Sequence, residues 1–153
     1  MFGGMTWDKT STRTLAVDPA ALWDVLADVE NWPRWDPDVA RVVLHGPVAT
    51  GSTGFLYPSG GFRGGVHAKI AKDFTFTSWR PGHEYTLRQP VPLGTMDLRL
   101  SVAAVLDGAE LTQRIVLDTP LRAVMVRIIG ADIVANFGRK CDALTRLAAA
   151  KTG

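Results

Sequence analysis

The sequence predicts an α+β fold: an antiparallel sheet of about six to seven strands, apolar on one face, covered by one long C-terminal helix. Three observations predict it. From Val39 to Leu117 the chain reads as strand after strand, divided by Gly, Pro and Asp turns. In the last strands apolar and polar residues alternate, which gives the sheet one greasy and one wet face. From Leu121 to Ala150 no proline interrupts an apolar stripe at helical spacing. A greasy sheet face and a single long helix to cover it make a two-layer solution.

Thr6 to Val17, rich in Thr and Val, reads as the first strand. Asp18-Pro19 follows; an Asp carboxylate accepts orphan N–H groups at a helix start, and Pro suits the first helical position. Leu22, Val25, Leu26 and Val29 then recur at helical steps and predict a short helix with one buried face. Asn31 to Asp36 contains Pro33 and ends at Pro37, which leaves room for one further helical turn. Strands are predicted over Val39–Leu44, from Gly51-Ser52 to Pro58, and over Val66–Ile70, Phe74–Trp79, His83–Gln89, Thr95–Val105 and Ala109–Leu117. Between them lie a loop with four glycines (Ser59 to Gly65), an Arg80-Pro81-Gly82 turn and a Pro90–Gly94 loop. Asp107-Gly108 is the strongest hairpin signal in the chain.

Met96, Leu98, Leu100 and Val102 share one parity, against Asp97, Arg99 and Ser101; Leu111, Ile115 and Leu117 likewise oppose Glu110, Thr112 and Arg114. Thr119-Pro120 opens the last helix, whose main stripe is Val126, Gly130, Ile133, Phe137, Cys141, Leu144 and Ala148. Its front half carries a second apolar side, Leu121, Val124, Met125, Ile128 and Ile129, which becomes Asp132, Asn136, Arg139 and Arg146 further on. Either the front buries two sides or the helix bends near Gly130, and the extra side faces a cavity or a partner.

At 153 residues the chain is one domain's length and can bury a core without metals or disulfides. Its 17 basic and 15 acidic side chains are dispersed, so no basic block marks a nucleic-acid surface. Cys141 is the only cysteine, which fits a reducing, cytoplasmic setting. Met1 to Thr10 has no basic segment leading into an apolar run, and no stretch approaches the roughly 20 apolar residues of a membrane span. These features predict neither a signal peptide nor a membrane span.

The run VDPAALWDVLADVENWPRWDP, from Val17 to Pro37, resembles the N-terminal signature of the START-like SRPBCC superfamily. Within it the chain is most similar to the polyketide cyclase/dehydrase-like branch. Gly51, Gly54, Leu56 and Pro58, then Pro81-Gly82, the Asp107-Gly108 hairpin, and Leu144 and Leu147 fit the same pattern, so the resemblance extends over nearly the whole chain. It implies one helix-grip domain over residues 1–153. In that fold a curved sheet wraps a long C-terminal helix, two short helices follow strand 1, and a deep apolar cavity lies between sheet and helix. Members bind lipids, sterols, polyketides, quinones or plant hormones; some cyclise polyketide chains, and others are carriers, receptors or co-chaperones.

On that frame Trp32 and Trp35 are either an aromatic wall of the cavity or core packing. Phe74, Phe76, Leu98 and Leu100 from the sheet, with Met125 and Ile129 from the helix, are the expected apolar lining. Tyr57 and Arg63 flank the glycine-rich loop, a candidate flap over the cavity; Arg63 would meet an anionic head group or remain an exposed loop residue. His83 shares parity with Tyr85 and Leu87, so His83 and Tyr85 could bracket a ligand carbonyl as a proton-moving pair, or His83 is a surface residue beside the turn. Gln113 lies on apolar parity and needs a partner, either a ligand oxygen or a helix residue such as Asn136 or Asp132. His45, His67 and His83 form no metal-ligand spacing, and no cofactor is expected.

Three functions follow as expectations. The first is binding of a hydrophobic small molecule: a lipid, polyketide or quinone-like compound. The second is a cyclase, aromatase or dehydratase acting on a poly-β-ketone. The third is a protein-interaction module, co-chaperone-like or a homodimer through the two-sided front of the last helix.

Overall fold

The computed structural model describes residues 6–59 and 72–152. The elements run β1 (Thr6–Leu15), α1 (Pro19–Ala27), a 310 turn (Val29–Arg34), β2 (Val39–Leu44), β3 (Thr53–Pro58), β4 (Lys72–Arg80), β5 (Glu84–Val91), β6 (Gly94–Val105) and β7 (Gly108–Asp118). The C-terminal helix follows in four pieces: α2 (Arg122–Met125), a π turn (Val126–Gly130), α3 (Ala131–Ala135) and α4 (Phe137–Thr152). Among the described residues the strands form one seven-stranded sheet in the order β1-β7-β6-β5-β4-β3-β2, antiparallel throughout. This is the helix-grip arrangement the sequence predicts. The predicted strand Val66–Ile70, the loop from Gly60 to Gly65 and Arg63 lie outside the described residues.

Local chemistry explains the helix starts. Asp18 Oδ2 accepts the Ala21 N–H at 3.1 Å, and Pro19 opens α1. Thr119 Oγ1 accepts the Leu121 N–H at 3.1 Å and donates to the Pro92 carbonyl at 2.7 Å, which ties the last helix to the β5–β6 turn. The α4 stripe Phe137, Cys141, Leu144 and Ala148 is buried with Leu22 and Leu26 of α1 and Leu111 of β7. Each fully buried Leu or Phe contributes roughly 1.5–3 kcal/mol. The opposite sheet face carries ion pairs, among them Arg88–Asp97 at 2.7 Å, Arg99–Glu84 and Arg114–Asp8. Arg99 and Arg114 sit directly across β6 and β7, and Glu84 and Asp8 offset that repulsion.

The structure revises two turns. β5 continues through Pro90 and Val91, which pair with Thr95 and Gly94, so only Pro92 and Leu93 form the connection. Leu93 has φ 62°, the conformation that follows a proline in a tight turn, and is 76% exposed. In the β6–β7 hairpin the turn residues are Leu106 and Asp107, one position earlier than the Asp-Gly signal suggests. Gly108 instead begins β7 at φ 150°, where a Cβ would collide with the Leu15 carbonyl. The glycine is needed for that close approach to the end of β1.

A bulge in β4 between Phe76 and Ser78 shifts its alternation. Phe74 and Phe76 point into the core, and the bulge brings Trp79 to the same side, where it meets Phe76 and Tyr85. The C-terminal helix departs from regularity at its front, where it carries two apolar sides. The Ala131 N–H reaches the Val126 carbonyl, an i to i+5 bond. Gly130 lets the helix approach β1, since a Cβ there would lie 3.1 Å from the Trp7 ring.

Candidate functional site

A cavity of about 610 Å³ separates the apolar sheet face from the front of the C-terminal helix. That is within the usual range for small-molecule sites. Leu56, Tyr85, Leu87, Met96, Leu98 and Leu100 form its sheet wall, and Met125, Ile128, Ile129 and Ile133 its helix wall. The π turn contributes Ile128 and Ile129, so the front half's second apolar side is spent largely on the cavity. Leu121 and Val124, from the same side, remain exposed.

Trp32 closes part of the wall. Its Nε1 donates to the Leu26 carbonyl at 2.8 Å, and its ring stacks on Tyr85 at 5.4 Å and 19°. Trp79 also stacks on Tyr85, at 5.4 Å and 17°. Tyr85 is thereby fixed among aromatic rings.

One corner of the cavity is polar. Lys140, 2% exposed, places Nζ 3.1 Å from Gln113 Oε1, 3.4 Å from Asp38 Oδ2 and 3.7 Å from Asp36 Oδ1. Asn136 Nδ2 donates to Asp38 Oδ1 at 2.7 Å, and the Asp38 backbone N–H donates to Asp36 Oδ1 at 2.9 Å. The Asp38–Lys140 contact is an ion pair without hydrogen-bond geometry, so Asp38 Oδ2 has no hydrogen-bond partner. Gln89 Nε2, also buried in a residue lining the cavity, has none either.

Burial pushes the Asp36 carboxyl above its ordinary range; the Lys140 charge pulls it back, while Asp38 adds to the rise. Burial, reinforced by the Asp36 charge, holds the Tyr85 phenol well above its ordinary value. Tyr85 therefore stays an O–H donor at neutral pH. Burial likewise raises the thiol of Cys141, which lies in the core.

Of the residues singled out from sequence, Trp32, Tyr85, Leu98, Leu100, Met125 and Ile129 line the cavity. The others do not. Trp35 is core, packed edge-on to Trp32 at 6.1 Å. Phe74 and Phe76 are buried in the aromatic cluster and do not reach the cavity surface. Tyr57 takes the opposite parity to Leu56 and lies under the Arg41 guanidinium, 5.6 Å from its centre. His83 belongs to the turn before β5, with an exposed side chain, so it forms no proton-moving pair with Tyr85. Gln113 is satisfied by a helix residue, as one expectation held, but that residue is Lys140 and neither Asn136 nor Asp132.

Asp36, Asp38, Gln89 and Lys140 are the functional candidates that sequence reasoning missed. A signal for part of them exists. Asp132, Asn136 and Lys140 recur every four residues, a polar row beside the apolar stripe. Asp36 and Asp38 flank Pro37 directly after the buried Trp35.

The family described as polyketide cyclase / dehydrase and lipid transport matches residues 6–149. An uncharacterised protein of Mycobacterium tuberculosis is 34% identical over 73 residues, 46% of this chain and 39% of that protein. The match thus spans well under half of that relative's length. Among solved structures, the Zhui aromatase/cyclase from Streptomyces sp. R1128 superposes with a TM-score of 0.72 at 16% identity, covering 97% of this chain and 96% of that one. The di-domain aromatase/cyclase StfQ of the steffimycin pathway gives 0.75 at 14% identity, covering 97% of this chain and 52% of that one. At such identities the likeness is one of fold.

Proposed function

The chain belongs to the polyketide cyclase / dehydrase and lipid transport family, and we propose that it binds a hydrophobic small molecule between its sheet and its C-terminal helix. The observation that carries this reading is the cavity of about 610 Å³, lined chiefly by Leu, Ile, Met and aromatic side chains, with polar groups gathered at few points. A core meant only for stability would fill such a space, because an unfilled cavity costs stability in proportion to its volume. The π turn, which directs Ile128 and Ile129 at the cavity, supports the same reading.

Native mass spectrometry of the protein isolated from its own host, followed by solvent extraction, tests this. A single retained apolar compound at one per chain is the expected result. A protein that carries nothing and binds no apolar probe saturably would overturn the reading.

A second reading is cyclisation or dehydration of a poly-β-ketone. It is favoured by Asp36 and Tyr85, both of which line the cavity, with Asp36 near enough for its charge to raise the Tyr85 phenol. Tyr85 would donate to a ligand carbonyl, and Asp36 would accept or return a proton. Incubation with a poly-β-ketone thioester should then yield a new aromatic absorbance that Tyr85→Phe slows. Unchanged substrate would exclude this reading and leave binding intact.

A further inference from the structure

We infer that the end of the molecule at the cavity rim docks on an anionic lipid bilayer, inserting Leu93, Leu121 and Val124 and setting Arg122 against the lipid head groups. This goes beyond the ligand reading of the cavity, and the two can fail separately.

Among the described residues five large apolar side chains are exposed. Val105 and Leu106 lie at the β6–β7 hairpin, whereas Leu93, Leu121 and Val124, at 76%, 38% and 52% exposure, gather at the opposite end of β6. One hydroxyl joins the two segments that carry them. Thr119 Oγ1 donates to the carbonyl of Pro92, the residue before Leu93, and accepts the N–H of Leu121. Val124 follows on the same side of the helix, with its N–H on the Leu121 carbonyl at 3.0 Å. The patch is continuous with the cavity rim: Pro92 lines the cavity, and so do Met125 and Ile128 just beyond Val124.

Leu93 is the least expected of the three. Its φ of 62° lies in the left-handed region, which glycine and asparagine enter readily and leucine enters at a cost. With most of its surface in water it gains little burial within the chain to offset that cost. A strained, exposed leucine is accounted for when the side chain is buried in something outside the chain.

Charge identifies what that is. From Thr119 to Ala131 the charged side chains are Arg122 and Arg127, with no acid between them, and the stretch from Val91 to Met96 carries no charge. Asp118 and Asp132 flank the helix front, and Asp118 acts on Arg88 across the sheet. Arg122, half-buried, forms no ion pair among the described residues. Apolar side chains flanked by arginines suit the head-group layer of a membrane and are drawn there by anionic lipid. A protein partner fits less well, because three partly exposed side chains fall far short of the roughly 800 Å² per partner of a stable protein interface.

Co-sedimentation of the full chain with phosphatidylcholine vesicles, plain or containing about one third phosphatidylserine, tests the inference. Binding to the anionic vesicles, little binding to the neutral ones, and weakening as salt is raised are the expected results. Leu93→Asn suits the left-handed backbone, so it should hold or raise the melting temperature while weakening vesicle binding about tenfold or more. Arg122→Gln should weaken it roughly fivefold. Absence of binding to the anionic vesicles overturns the inference, and so does binding that Leu93→Asn leaves unchanged. A concentration-dependent dimer in light scattering that Leu93→Asn dissolves also overturns it, and gives the patch to a second copy of the chain. Titration with a soluble apolar probe such as 2-naphthol, with no vesicles present, reads the cavity alone, so failure of one reading is distinguishable from failure of the other.

Discussion

Nζ of Lys140, on the C-terminal helix, lies 3.1 Å from Oε1 of Gln113, on β7, and both residues are almost wholly buried. This bond joins the two layers of the fold at the corner where Asp36 and Asp38 also meet the lysine. Removing the cation should be costly. Lys140→Met keeps the length of the side chain and leaves two carboxylates without their counter-charge. Breaking a buried pair in this way costs on the order of 3–5 kcal/mol. Urea denaturation at pH 7 should show that loss, and adding Asp36→Asn to Lys140→Met should recover part of it. A loss below about 1 kcal/mol would mean the cluster is hydrated and its charges are not coupled.

The raised Asp36 carboxyl makes stability depend on pH with a definite sign. Its folded value lies above the unfolded one. Its contribution is therefore fully present below the unfolded value of about 4 and is lost as pH rises through the folded value. Asp36→Asn removes that titration. The stability of wild type relative to Asp36→Asn should fall as pH is raised from about 4 toward neutrality. Parallel stability–pH curves for the two proteins would contradict the assignment.

Gly54 tests the sheet independently of the cavity. It sits on β3 where a Cβ would run into the Val43 carbonyl and lie 2.6 Å from Cζ of Phe74. The backbone carbonyl cannot yield cheaply, so Gly54→Ala should destabilise by about 1–3 kcal/mol. Thermal melting measures this directly. A neutral result would mean that β2 and β3 are less closely paired than their register from Val42↔Leu56 to Leu44↔Gly54 implies.

Most of the fold was legible because its signals are local. Asp18-Pro19 caps α1 as its chemistry demands, and alternation from Met96 to Val102 assigns the buried face of β6 correctly. The two-sided front of the last helix leaves a cavity or a partner open, and two buried sides or a bend near Gly130; a cavity lies there, beside a π turn over Val126–Gly130. Less of the site was legible, for reasons that lie beyond local pattern. The bulge that brings Trp79 against Tyr85 depends on pairing with β5. His83 shares parity with Tyr85 on paper, but β5 begins only at Glu84, which leaves His83 in the turn. His83→Ala should accordingly alter neither melting nor ligand affinity, contrary to the parity argument. Lys140 reads as a solvated helix lysine until Gln113, from 27 positions earlier, is placed beside it.

The most direct test of the central claim fills the cavity. Leu98 lines its sheet wall and is only partly buried, so Leu98→Trp adds volume into open space and should leave the melting temperature within a few degrees of wild type. Calorimetric titration of both proteins with 2-naphthol should show saturable binding at one molecule per chain in wild type and none in Leu98→Trp. Equal binding by the two proteins, with melting unchanged, would contradict the account, because the ligand would then be held somewhere other than between the sheet and the C-terminal helix.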